Sequence, residues 1–133
     1  MRIRRGHVYV VDLNPRVRTR PGKIRPAVVL QDDLLNEASY PSTIVLPTTT
    51  SLVETTSPLR LRLPAGAAGL ERESDVLVAQ MIAIANESFR KELGVLPGDL
   101  FEELAERPSS GPRALRSAAG LHDRPGPQRS LAG

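Results

Sequence analysis

"DVLVAQMIAIA", residues 75–85, is the longest apolar stretch in this 133-residue chain. Its Val and Ile content, and the turn-rich "GAAGLERES" (66–74) before it, predict a central β-strand. A uniformly apolar run of this length also satisfies a buried helix, so periodicity alone leaves both readings open.

The surrounding segments favour β structure. "PLRLRLP" (58–64) alternates strictly, with Leu59, Leu61 and Leu63 on one face and Arg60 and Arg62 on the other, as in a half-exposed strand. "STIVLP" (42–47), "PAVVLQ" (26–31) and "HVYVVDL" (7–13) are shorter apolar runs, the last bounded by Gly6 and by Asn14-Pro15. Five short strands with little helix between them predict a mainly β fold, a small and strongly bent antiparallel sheet or barrel. Two short helices are expected after residue 85. Asn86 can cap "ESFRKEL", with Phe89 and Leu93 on one face, and Pro97 can open "PGDLFEELAE", with Leu100, Phe101 and Leu104 as an apolar stripe. From Arg107 the chain is rich in Pro, Gly, Ser and Arg without periodicity, which predicts one domain over 1–106 and a disordered tail over 107–133.

Cysteine is absent, which excludes disulfides and thiolate metal sites and suits a reducing, cytoplasmic compartment. The apolar run near the start stops at Asp12, too early for a signal core or a membrane span. The net charge of +3 hides a polarised distribution. Residues 1–25 carry eight Lys or Arg against Asp12 alone, whereas residues 26–106 carry five against thirteen carboxylates. The two nearly cancel over the domain, so the basic cluster stands out ahead of an acidic stretch, and a cluster of this kind is the electrostatic pattern of a phosphate-binding surface.

The chemistry open to the chain is narrow. His7 and His122 are far apart, and Asp32 and Asp33, read as the end of a strand, point to opposite faces, so no metal-ligand cluster is legible. His7 reads as an exposed residue at a strand entry. Neither a Gly-rich phosphate loop nor a G-x-S-x-G motif is present. An arginine and a run of hydroxyls remain. Arg25 precedes Pro26, which keeps it extended, and Thr48, Thr49 and Thr50 follow Pro47 at the end of a strand. A guanidinium fork matches phosphate oxygens, and a neighbouring hydroxyl adds a donor, so the two together outline an anion site.

The blocks "RGHVYVVDLNP", "IRPAVVLQDDLLN", "TIVLPTTTSLVE", "PLRLRLPAGAAGLERESDVLVAQMIAI" and "KELGVLP" follow one another in the order and spacing of the MazF/PemK toxins. The chain resembles that family over residues 3–106. The resemblance implies an SH3-like barrel that forms a homodimer, of the type shared with CcdB. It further implies a cofactor-free, metal-independent endoribonuclease that cuts single-stranded RNA at short sequences and is silenced by a cognate antitoxin. By position Arg25 is similar to the family's catalytic arginine and Thr49 to its threonine; Thr48 and Thr50 stand close enough to serve as that threonine instead, and both are expected to contact RNA. Arg16, Arg18, Arg20 and Lys23, in the loop ahead of Arg25, are expected to hold the RNA backbone, and Gln80 to line the RNA groove.

The chain also departs from the pattern. An acidic residue commonly follows "RG" in the family, and His7 stands there. Ala79, Met81, Ile82 and Ala85 replace much of a polar block around Gln80. These departures keep two other readings open: an impaired homologue that binds antitoxin or RNA, and a gyrase-directed toxin of the same fold.

Overall fold

The computed structural model describes residues 2–13, 24–54 and 57–107. The expected mainly β architecture is present, with seven strands rather than five. They are β1 (His7–Asp12), β2 (Ile24–Val29), β3 (Ser42–Thr49), β4 (Arg60–Leu63), β5 (Ser74–Leu77), β6 (Ile82–Ala85) and β7 (Phe89–Val95), with helices α1 (Asp33–Glu37) and α2 (Gly98–Ala105). The sheet runs β4-β5-β3-β2-β1-β7, and β6 pairs with β3. Every pairing is antiparallel.

The long apolar run proves to be two strands. A 3₁₀ turn at Val78–Gln80 breaks it. Before the break, β5 pairs with the C-terminal end of β3 (Thr48↔Val76, Thr49↔Asp75); after it, β6 pairs with the N-terminal end (Ser42↔Ala85 through Val45↔Ile82). One side of β3 is thus shared between two partners, and the turn lets a single run of sequence serve both. Val78 is buried within that turn, so the break does not interrupt the core.

The helix expected at 86–93 is a single 3₁₀ turn at Asn86–Ser88 followed by a strand from Phe89. Asn86 does not cap: its side-chain oxygen accepts the Thr43 hydroxyl at 2.7 Å and its amide donates to the Tyr40 carbonyl at 2.6 Å, tying the turn to the start of β3. The chain then pairs with β1 along β7, through irregularities between Val8 and Tyr9 and between Val10 and Val11. That pairing satisfies the backbone of β1 on its outer side, a gain that a lone helical turn could not match. The expected α2 is present, with Leu104 fully buried and Leu100 and Phe101 packed on the same cluster.

Sheet alternation divides the apolar residues into two clusters. Val8, Val28, Leu46, Leu61, Leu63 and Val76 form one with Leu104, while Tyr9, Val11, Ala27, Val29, Val45, Ile84 and Phe89 form the other. Leu61 and Leu63 are buried as the alternation predicts, and Leu59, just outside β4, is exposed. The 3₁₀ turn at Ala67–Gly69 lies flat against β7. A methyl group on Gly94 would stand 2.7 Å from the carbonyl carbon of Ala68, so only glycine allows this approach.

Asp32 and Asp33 do not end a strand. Asp32 caps α1, its carboxylate accepting the Leu34 amide at 2.8 Å, and Asp33 accepts the Arg5 amide at 2.8 Å and the Asn36 amide at 3.0 Å. Burial raises the Asp33 carboxyl, and the bonds from Arg5 and Asn36 more than reverse this, leaving it below its ordinary value. No group of His and carboxylates among the described residues could hold a metal ion. None of the described helices is long and apolar enough to cross a membrane.

Candidate functional site

The site begins where two prolines interrupt a ladder. β2 and β3 pair through Val29↔Val45, Val28↔Leu46 and Ala27↔Pro47. Pro26 and Pro47 carry no N–H, so backbone pairing weakens at this end of both strands. Side chains take over there. The Thr48 hydroxyl donates to the Pro26 carbonyl at 2.9 Å, and Arg25 Nη1 donates to the Thr48 carbonyl at 3.2 Å.

Continuing the β2–β3 register by two residues places Arg25 opposite Thr49. Directly opposed residues of an antiparallel pair share a face and lie within about 5.5 Å. The β3–β5 register then places Asp75 opposite Thr49, and the β4–β5 register places Arg62 opposite Asp75. Arg25, Thr49, Asp75 and Arg62 therefore form one polar row across β2, β3, β5 and β4, all on one face. Thr48, expected to contact RNA, instead points to the other face and is buried, its hydroxyl already committed to the Pro26 carbonyl. Thr49 is partly exposed and Thr50 exposed.

The Thr49 hydroxyl oxygen accepts the Ser51 amide at 3.1 Å. Accepting there orients the hydroxyl while its own proton stays available as a donor. Beside it lies a charged cluster that sequence reading missed. Asp75 is 1% exposed, and its carboxylate receives Arg60 Nη1 at 3.0 Å and Arg62 Nε at 2.5 Å. Burial raises the Asp75 carboxyl; the hydrogen bonds from Arg62 and then Arg60 more than offset this and hold it below the ordinary carboxylate value. The signal was present in the sequence: two arginines on one face of a strand, followed by a carboxylate inside the next apolar run.

The other candidates are dispersed. Arg16, Arg18, Arg20 and Lys23 lie outside the described residues, as does the tail beyond Arg107. Gln80, half-buried in the Val78–Gln80 turn, is level with the middle of β3 rather than with Thr49. Ala79 and Ala85 are exposed, and Ile82 packs on the Phe89 cluster. His7 is not a free strand-entry residue: its Nδ1 lies 2.6 Å from a Glu92 carboxylate oxygen, and its ring stacks near Tyr9.

A row of this kind, built on a mainly β fold with a short C-terminal helix, occurs on an architecture already known from solved structures. The structure matches the crystal structure of MazF from Deinococcus radiodurans with a TM-score of 0.68 at 22% identity, covering 90% of this chain and 98% of that one. It also matches an endoribonuclease in complex with its cognate antitoxin from a mycobacterial species, with a TM-score of 0.62 at 17% identity, covering 90% and 96%. These identities speak for the fold alone. In sequence, the chain is 30% identical over 106 residues to Endoribonuclease EndoA of Bacillus subtilis (strain 168), spanning 80% of this chain and 90% of that protein. The family model described as "PemK-like, MazF-like toxin of type II toxin-antitoxin system" matches residues 4–107, so that Arg25, Thr49 and Asp75 all fall within it, and the chain belongs to this toxin family.

Proposed function

We propose that this chain is a metal-independent, sequence-specific endoribonuclease that cleaves single-stranded RNA through its own ribose hydroxyl. What supports the reading is the opened end of the β2–β3 ladder, where Arg25 Nη1 donates to the Thr48 carbonyl and the register, carried on past Ala27↔Pro47, sets Arg25 across from Thr49. The EndoA relative, an endoribonuclease by name, supports the reaction class.

In this reaction the 2′ oxygen bonds to the adjacent phosphorus and the bond from phosphorus to the 5′ oxygen breaks. The products are a 2′,3′-cyclic phosphate and a 5′-hydroxyl, and the proton released at the 2′ oxygen is matched by one taken up at the 5′ oxygen. The nucleophile belongs to the substrate, so no activated water is required. Negative charge grows on the non-bridging oxygens. A guanidinium carries five N–H donors in a planar fork and no acceptor, so the role of Arg25 is to stabilise that charge, while Thr49 donates a further hydrogen bond. Arg16, Arg18, Arg20 and Lys23 hold the flanking phosphates, with Thr50 and Gln80 lining the groove. The protein works as a homodimer. It is silenced by a cognate antitoxin, a reading that the solved complex of a structural relative with its own antitoxin supports.

The test is cleavage of a U- or A-rich single-stranded RNA in EDTA, with Arg25→Ala alongside. Loss of cutting in the variant supports the reading, and persistent cutting removes Arg25 from the mechanism. The apolar residues at Ala79, Ile82 and Ala85 favour a second reading, an inactive homologue that still binds antitoxin or RNA. Tight binding without RNA products selects it.

A further inference from the structure

Asp75 is the only buried charged residue among those described, and both of its oxygens are taken by arginines. Stability alone is a weak reason for such an arrangement, because a buried ion pair roughly breaks even against apolar residues of similar size. The second bond made by each arginine is more informative. Arg60 Nη1 also donates to the Ser51 carbonyl at 3.0 Å, and Arg62 Nη2 donates to the Val53 carbonyl at 2.6 Å. Two alternate carbonyls of the irregular segment leaving β3 are thereby pinned to one carboxylate. Ser51 is the shared point: its carbonyl is held by Arg60, and its amide holds the Thr49 hydroxyl oxygen.

We propose that Asp75 is a positioning residue for Thr49, acting through Arg60 and Ser51 to fix where the Thr49 hydroxyl stands relative to Arg25. The inference rests on the ribonuclease reading above and adds to it a residue that never touches RNA. Asp75 also lies directly across the ladder from Thr49, so the strand pairing and the Arg60 bridge reach the same residue by two routes. Without the carboxylate, Arg60 loses its ion-pair partner and its hold on the Ser51 carbonyl loosens, while Arg62 keeps Glu73, 3.6 Å away, as a weaker anchor for the Val53 carbonyl. Misplacement of a reacting group by about 1 Å can cost about 10²-fold in rate. The basic groups proposed to hold the RNA backbone precede Arg25 in sequence and are not tied to the 51–53 segment by any of these bonds, so the loss falls on turnover rather than on affinity.

The experiment is a double-mutant cycle, with single-turnover cleavage of a single-stranded RNA oligonucleotide and amide hydrogen exchange at Ser51 as readouts. Asp75→Asn is expected to lower kcat about 10-fold or more with KM within about 2-fold, to have little further effect in a Thr49→Ala background, and to speed exchange of the Ser51 amide. A purely structural role lowers activity by the same factor in both backgrounds, and that result overturns the proposal, as does unchanged Ser51 exchange. If Asp75→Asn does not fold, Arg60→Gln, which leaves Asp75 paired with Arg62, must show the same coupling and exchange. A wild-type protein that cuts no RNA removes the ribonuclease reading instead; Ser51 exchange, which needs no activity, then decides whether the clamp exists.

Discussion

The Thr48 hydroxyl is turned inward onto the Pro26 carbonyl, 2.9 Å away, where proline has left the β2–β3 ladder without a donor. Thr48 and Thr49 therefore have opposite expected phenotypes. Thr48→Val removes the hydroxyl donor from the half-buried Pro26 carbonyl and should cost about 1–2 kcal/mol of stability. Thr49→Ala should shift stability by less than about 1 kcal/mol while removing most of the cleavage. Denaturant melts beside RNA cleavage assays check both.

Arg25 is expected to behave as a fixed charge. Arg25→Ala should lower the cleavage rate about 10² to 10³-fold, the usual cost of removing one donor from a developing anion. Arg25→Lys should recover only part of that, because an ammonium lacks the planar fork. Single-turnover rates of the three proteins, compared at equal RNA occupancy, test this.

Acid should weaken the fold through two named carboxyls. Asp75 and Asp33 both stand below the ordinary carboxylate value of 3.8 when folded. Their stabilisation is therefore complete above that value and is lost as pH falls from it through the lowered folded values. Thermal melts from pH 7 to pH 2 should show Asp75→Asn less stable than wild type at neutral pH, with the gap closing toward pH 2. A gap that stays constant across that range contradicts the assignment.

Gly94→Ala should destabilise without touching the site. Its new methyl group meets the backbone of Ala68, which cannot rotate away as a side chain could. A cost of about 1–3 kcal/mol is expected, with turnover per folded molecule unchanged. Urea titration with activity normalised to the folded fraction measures it.

RNA affinity should fall steeply with salt. Each phosphate contact on a single strand contributes about −0.7 to the slope of log affinity against log salt, so replacing Arg16, Arg18, Arg20 and Lys23 together should flatten the slope by up to about 2.8. Fluorescence anisotropy of a labelled RNA over a salt series reads this directly.

Much of the fold was legible because its strands are short, β-branched and punctuated by proline and glycine, and α2 because Leu100, Phe101 and Leu104 fall on one helical face. The failures were of partner rather than of pattern. Residues 89–93 carry a plausible helical stripe, and nothing local reveals that β1 needs a neighbour on its outer side. The run at 75–85 hides its break because Val78 stays buried through the turn. The site divides in the same way. Arg25 and Thr49 were visible beside their prolines, whereas the role of Asp75 depends on a register between strands distant in sequence, which only the three-dimensional pairing supplies.

The placement of β7 beside β1 has a consequence for synthesis. The first strand made waits for the last before both its sides are covered, a separation of some eighty residues. At a synthesis rate of about 5–20 residues per second, the nascent chain passes several seconds with that edge bare. Non-local closure of this kind is slow and exposes the chain to off-pathway association, so the yield of native protein should depend on whether the ribosome has released residues 89–95 before neighbouring chains meet.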